Sequence, residues 1–250
     1  MNHIEEYARK FMTHSSHTIL HVKRVYNLCN RIEGADKEIL LTAALLHDIA
    51  RDDEMKGVVK DHAIAGAERA LKYLKSINYD ENKAERIASC IRTHRWRNNL
   101  KPDSFEGLIL KEADKLDAIG AIGVIRTTKH NYNRLPYHPT DPLAKNRKPD
   151  DHLYGLDHFF VKLLKLYDKF TIPEFRNEAK RRHEFMIYFL DMVEKGPSIE
   201  VINTIRENYM LKDYDEENPF LPSENYIVGK LMKLDNPVAI NLIKELKMEI

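Results

Sequence analysis

The sequence predicts an all-α protein, a helical bundle with a helical extension at its C-terminus. Three observations carry that expectation. Apolar residues recur at three- and four-residue spacing along most of the chain, capping residues stand in front of those runs, and no convincing pair of alternating segments suggests a strand hairpin. Length and composition agree. A chain of 250 residues, 43% hydrophobic and 32% charged, can build one substantial core with an appendage and is too apolar to stay disordered.

The elements follow in order. From Thr18 to Ile32, residues Val22, Val25, Leu28, Cys29 and Ile32 share one helical face. Asp36 caps a second helix, Lys37 to about Ala50, that is apolar almost all round through Ile39, Leu40, Leu41, Ala43, Ala44, Leu45, Leu46 and Ile49. Such a helix belongs at the centre of a bundle. Asp61 opens a third helix with Ile64, Ala67, Leu71 and Leu74 on one face, and Asp80 a fourth with Ala84, Ile87, Ala88 and Ile91. Ser104 opens a fifth, running through Leu110 and Ala113 toward Gly120.

From about Thr127 to Tyr154 the pattern breaks, with Pro136, Pro139, Pro142 and Pro149 set among Tyr132, Arg134, Tyr137, Lys145, Arg147 and Lys148. An insert this long is expected to be either a lid, stacking a base and attracting phosphate, or a mobile surface loop. Helix resumes from Leu156 to about Phe170. Thr171 and Glu174 then form a capping-box pattern for a long helix that stops at Gly196-Pro197. The tail reads as short helices, the last opened by Asn236-Pro237. The expected division is one domain over 1–195 and an extension over 196–250.

Charge excludes little by itself: 40 Lys and Arg stand against 39 Asp and Glu, a net charge of +1, with no case for a nucleic-acid coat or an acidic partner. Cys29 and Cys90 sit inside helical patterns and read as buried thiols. The start, MNHIEEYARKF, has no apolar signal core, and no run approaches membrane-spanning length, so the expected location is the cytoplasm and no membrane partner is expected.

Polar residues interrupt the apolar faces at particular places. His21 shares its face with Val25, Leu28 and Ile32; His47-Asp48 ends the most hydrophobic run, LTAALLHDIA; Asp114 follows Leu110 by one turn; His94 continues Ile87 and Ile91. Inward carboxylates must be paired, protonated or metal-bound, because burying a lone one costs several kcal/mol. Imidazoles and carboxylates without a thiolate suit a divalent cation with open positions: Mn²⁺, Fe²⁺, Co²⁺, Ni²⁺ or Mg²⁺ rather than a closed zinc site. Adjacent helical residues point about 100° apart. One ion therefore reaches both His47 and Asp48 only near a helix terminus or between two helices.

H-V-K-R-V from His21, HD at His47-Asp48 and ADKLDAIGAIG around Asp114, in that order, resemble the signature of HD-superfamily phosphohydrolases. PDDHLYGLDHFFVKLLKL, from Pro149 to Leu166, and the Glu-Ala-Lys-Arg-Arg helix after it are similar to the small stand-alone bacterial and archaeal members. The resemblance covers roughly 1–195 and implies metal ligation by His21, His47, Asp48 and Asp114. It further implies hydrolysis of a phosphate ester or anhydride by metal-activated water. Similar members cleave nucleotides, including deoxynucleoside triphosphates to monophosphate and pyrophosphate, so a nucleotide is the expected small-molecule substrate.

The remaining expectations follow from it. Asp48 and His94 are the expected catalytic residues, His94 as general acid or phosphate contact, and Arg126, His158 and Lys162 the expected phosphate clamp. The plain alternative for His158, Lys162 and Lys165 is a solvated stripe. Some members hold a second metal with two further histidines, where His62 and His94 would fit; His62 could equally be an exposed or capping residue beside Asp61. Where relatives often carry Asp three residues before the first ligand, this chain has Thr18, so a carboxylate orienting His21 is missing or supplied elsewhere. Asp52 and Asp53, after the HD helix, could place an attacking water, but the expected reading is a surface acidic pair. Asp117 is either support for the ligands or an exposed partner of Lys115. The rival functions are a two-metal phosphodiesterase and a non-catalytic module binding a nucleotide or partner; nucleic-acid binding through the loop is not the expected role.

Overall fold

Helix starts are where the capping residues put them. In the computed structural model, which describes residues 2–12, 18–130 and 133–195, the Asp36 carboxylate accepts from Glu38 N and Ile39 N, Asp61 from Ala63 N and Ile64 N, Asp80 from Lys83 N, and the Ser104 hydroxyl from Gly107 N. Each satisfies donors that a first turn leaves without an intrahelical partner. The described helices are α1 (Asn2–Arg9), α2 (Ile19–Asn30), α3 (Lys37–Leu46), α4 (Arg51–Met55), α5 (His62–Ser76), α6 (Glu81–Thr93), α7 (Phe105–Leu116), α8 (Gly120–His130), α9 (Asp157–Val161) and α10 (Pro173–Lys195). No strand occurs among the described residues, only an isolated bridge between Leu135 and Tyr154. No described helix is long and apolar enough to cross a membrane. The extension expected over 196–250, Tyr132 and the Gly196-Pro197 stop lie outside the described residues.

The all-round apolar helix is central. Every α3 residue from Ile39 to Leu46 is buried, and the helix packs against α1, α2, α6 and α7. It ends earlier than the expected Ala50. The chain tightens after Leu46, with Ile49 N donating to Leu46 O and Arg51 N to Asp48 O, before α4 begins. A continuous apolar run conceals that break because a tight turn buried in a core needs apolar residues as much as a helix does.

The helix expected to run toward Gly120 is two helices. α7 stops at Leu116, and Gly120, at φ +86°, turns the chain into α8. That left-handed conformation is open to glycine without steric cost. The stretch Leu156 to Phe170 is also broken, into α9 and two single 3₁₀ turns, Leu163–Lys165 and Tyr167–Lys169. The long α10 forms as expected but without the expected box. The Thr171 hydroxyl donates to Glu112 of α7, whose carboxylate also accepts from Thr171 N and Ile172 N.

The described part of the proline-rich segment is tied down. Leu135 N donates to Leu153 O, Gly155 N to Leu135 O and Leu156 N to Pro136 O. Arg147 grips both oxygens of the fully buried Asp157, at 2.5 and 2.6 Å, and its guanidinium lies 4.8 Å over the Tyr154 ring. These bonds hold the segment's base and middle against α9, which favours neither a free surface loop nor a wholly mobile lid. The acidic pair divides: Asp53 bonds Arg69 at 2.5 Å, whereas Asp52 is buried rather than on the surface.

Candidate metal centre

His47 and Asp48 lie where α3 ends, which frees both from a continuous helix. The His47 ring turns back so that Nδ1 sits 2.8 Å from Ala44 O. His94 does the same at the end of α6, with Nδ1 2.6 Å from Ile91 O. His21, inside α2, has Nδ1 2.6 Å from Asp117 Oδ2, and His62, opening α5, has Nδ1 3.0 Å from Glu54 Oε2. Since carbonyl and carboxylate oxygens only accept, Nδ1 of His21, His47 and His94 carries the hydrogen, and in the neutral rings Nε2 keeps its lone pair. His62 Nδ1 also lies 3.0 Å from Arg51 NH1, a donor, so either tautomer satisfies its contacts. His62 shares Glu54 with Arg51, whose NH1 is 2.6 Å from the same oxygen.

All four Nε2 atoms converge on carboxylates. His21 Nε2 lies 3.2 Å from Asp114 Oδ1, 3.6 Å from Asp48 Oδ2 and 3.3 Å from His47 Nε2. His47 Nε2 lies 3.6 Å from Asp48 Oδ2 and 4.0 Å from Asp114 Oδ1. On the other side of Asp48, Oδ1 faces His62 Nε2 at 3.4 Å and His94 Nε2 at 3.8 Å. His21, His47, His62, His94 and Asp48 are all buried, and Asp114 is partly open at 27%. Lone pairs facing lone pairs repel unless a cation lies among them. Ligands about 2.1 Å from an ion stand roughly 3 to 4 Å from one another, which is the spacing seen. His21, His47 and Asp114 form one compact group that fits a divalent cation, with Asp48 Oδ2 3.6 Å from both imidazoles, and His47, Asp48 and His94 form a second.

Protonation suits that reading at the carboxylates and at His47, His62 and His94, while at His21 an ion would have to displace the proton that Asp117 and Asp114 favour. Burial pulls His47, His62 and His94 below the ordinary imidazole value, outweighing the carboxylates that pull the other way. For His21, burial and Arg126 push down, but Asp117 and Asp114 prevail and the value rises. Burial pushes the Asp114 and Asp117 carboxyls up, yet the imidazoles around Asp114, and His21, Arg126 and Arg24 around Asp117, hold both well below the carboxylate range. Neutral imidazoles and ionised carboxylates are the forms a metal takes up. His94 does not suit a general acid: its hydrogen is committed to Ile91 O, and burial opposes a second proton.

The carboxylate that Thr18 does not supply comes from Asp117. It is fully buried, takes His21 Nδ1–H and accepts from Arg24 Nε at 2.6 Å and from Arg126 NH1. Lys115 is not its partner; that ammonium donates to Lys169 O and sits over the Trp96 and Phe170 rings. His62 is buried, and the cap of α5 is Asp61, so the exposed or capping reading of His62 is set aside.

A cleft of about 540 Å³ opens over Asp48, His62, His94 and Asp114. Eight cationic side chains line it against three carboxylates, and Arg126, His158 and Lys162 are among the lining residues. Arg126 is tied to Asp117 by NH1, while its Nε is buried with no hydrogen-bond partner. His158 Nδ1 is 2.8 Å from Asp151 Oδ2. Burial, with Arg97 and Arg126 nearby, holds the Lys162 ammonium below its usual value. Lys165 is exposed and apart from the cleft, because α9 breaks after Val161. The sequence reading had no cleft role for Arg51, Arg95, Trp96 and Asp151, and reached Arg134 only through the lid alternative. The run H-R-W-R after His94 was a usable signal: a ligand at a helix end brings the residues just after it to the same mouth.

A family model described as HD domain matches residues 17–119. YpgQ of Bacillus subtilis is 32% identical over 199 residues, 74% of this chain and 87% of that protein. The crystal structure of YpgQ in complex with ADP aligns with a TM-score of 0.61 at 29% identity, covering 80% of this chain and 96% of the other. An HD-superfamily hydrolase from Bacillus thuringiensis aligns with a TM-score of 0.61 at 29% identity, covering 78% and 94%.

Proposed function

This chain belongs to the HD domain family, whose solved neighbours include HD-superfamily hydrolases, and on that premise we propose that it is a divalent-metal-dependent phosphohydrolase acting on a nucleotide. The observation that carries the reading is the convergence of imidazole Nε2 lone pairs on Asp48 and Asp114 beneath a cationic cleft. His21, His47, Asp48 and Asp114 would hold the ion. When bound, a divalent ion supplies Lewis acidity and an acidified water. Which of Mn²⁺, Fe²⁺, Co²⁺, Ni²⁺ or Mg²⁺ fills the site is left to measurement.

The chain's own residues supply the rest. Asp117 holds the His21 ring, and the Ala44 and Ile91 carbonyls hold His47 and His94. Lys162 and Arg126 face the cleft and oppose the charge that builds on phosphoryl oxygens. Lys162, its pKa lowered by burial, gives up an Nζ proton to a leaving oxygen more readily than an ordinary lysine. The His158–Asp151 pair fixes one imidazole in the same wall. The complex of YpgQ with ADP supports a nucleotide as the class of ligand.

The test is His47→Ala and Asp48→Ala, assayed with phosphate compounds under Mn²⁺, Co²⁺, Ni²⁺ and Mg²⁺. Both variants are expected to stay folded, lose metal uptake and lose turnover. Full activity in Asp48→Ala refutes the assignment. A second reading, a two-metal phosphodiesterase, is favoured by Asp48 Oδ1 facing His62 and His94. It requires two ions per chain in the parent and one in His62→Ala.

A further inference from the structure

We propose that Trp96 is the platform on which the base of the nucleotide stacks. The inference rests on the nucleotide reading above and adds the subsite that would select a base over bare phosphate. Trp96 is the chain's only tryptophan, and it lines the cleft that holds Asp48, His62, His94 and Asp114. It stands two residues beyond His94, so the base subsite and the metal centre are joined by one short piece of backbone.

The ring is held but not buried. It opens a 3₁₀ turn, Trp96–Asn98, that is pinned on both sides. Arg95 NH1 bonds Glu54 Oε1 at 2.6 Å and Asp61 Oδ2 at 3.0 Å, and Lys111 Nζ bonds Leu100 O at 2.6 Å. Lys115 Nζ lies 4.5 Å from the Trp96 centroid, covering one face, and the Phe170 ring lies 5.1 Å beyond the same ammonium. Even so, Trp96 stays 43% exposed.

A large aromatic side chain favours burial. One that is fixed from beneath and left open toward a cleft presents a rigid π-face. The rest of the lining divides by chemistry: Arg97, Arg126, Arg134 and Lys162 suit phosphate, while Val161, Leu163 and Leu166 add apolar surface. Among the described lining residues Trp96 offers the largest flat aromatic face for a purine or pyrimidine, the other rings there being imidazoles. Stacking accepts any base, since every base has such a face. The subsite therefore distinguishes nucleotides from inorganic polyphosphate more strongly than one base from another.

Two measurements test this on the full metal-loaded chain. In the first, the single tryptophan's emission is titrated with ADP and with inorganic pyrophosphate. Saturable quenching by ADP but not by pyrophosphate is expected; equal responses, or none, overturn the proposal. In the second, Trp96→Ala and Trp96→Phe are compared for hydrolysis of a nucleoside triphosphate and of inorganic tripolyphosphate. Trp96→Ala is expected to raise the nucleotide KM about tenfold or more, with kcat within about twofold and no effect on tripolyphosphate, and Trp96→Phe to recover most of the loss. An unchanged nucleotide KM, or an equal loss on tripolyphosphate, overturns it. If the parent hydrolyses nothing, the phosphohydrolase reading fails and the emission titration alone decides the subsite. If Trp96→Ala does not fold, the emission titration decides likewise.

Discussion

Asp117 sets what the first ligand can do. His21 lies in the first turn of α2, where the carbonyl three residues before it, Thr18 O, already accepts from Val22 N; His47 and His94, at helix ends, use Ala44 O and Ile91 O. His21 needs a partner from elsewhere, and Asp117 supplies it at 2.6 Å. Asp117→Asn keeps an acceptor but removes the charge. It is expected to weaken metal affinity by about 10- to 100-fold with unchanged circular dichroism, measured by competition with a chelating indicator. Lys115 gives a second prediction. Burial pulls its ammonium down from 10.5 to about 8. Between those values the unfolded chain binds more protons than the folded one, so stability rises with pH there, by at most roughly 1.4 kcal/mol per pH unit. Because burial raises the Cys29 and Cys90 thiols and gives them the opposite slope, the effect is read as a difference: denaturant titrations of metal-stripped parent and Lys115→Met from pH 8 to 10.5 are expected to show the parent gaining stability with pH relative to the variant.

Elements end where packing requires it. α3 stops at Leu46, which points His47 and Asp48 out of one regular spiral and into one cleft. α8 starts at Gly120, and a Cβ on Gly123 would stand 2.4 Å from Ala118 O. Backbone cannot yield as a flexible side chain can. Gly123→Ala is therefore expected to cost about 1–3 kcal/mol, read as a lower denaturation midpoint, and to loosen Arg126 three residues on. Capping residues Asp36, Asp61, Asp80 and Ser104 act on their own helices, two or three residues away, and were legible in the sequence. The Thr171–Glu174 box was not realised, because Glu112, 59 residues before Thr171, already accepts from that turn.

For the whole molecule, the proposed metal site would join folding and metal binding in one equilibrium. Four imidazoles and two carboxylates are gathered, with the Nδ1 hydrogens of His21, His47 and His94 turned away from the carboxylates of Asp48 and Asp114, an arrangement the unfolded chain does not have. Adding a metal at about 100 times its Kd is expected to stabilise the fold by about 2.7 kcal/mol. Thermal scans with the metal and with excess chelator test this: Asp48→Ala is expected to lose the difference, and a parent whose midpoint ignores chelator would contradict it.

The sequence by itself determined the helical class, the starts of the main helices and the inward polar residues His21, His47, Asp48, His94 and Asp114. These follow from periodicity and capping, which act over a few residues. Tertiary structure alone decided that Asp117 holds His21, that Glu112 caps α10, that Asp52 is buried, and that Trp96 and eight cations share one cleft. Those contacts join groups that are distant along the chain. No local spacing encodes which distant side chain will meet a buried lone pair; only packing the helices around α3 brings them within hydrogen-bonding range.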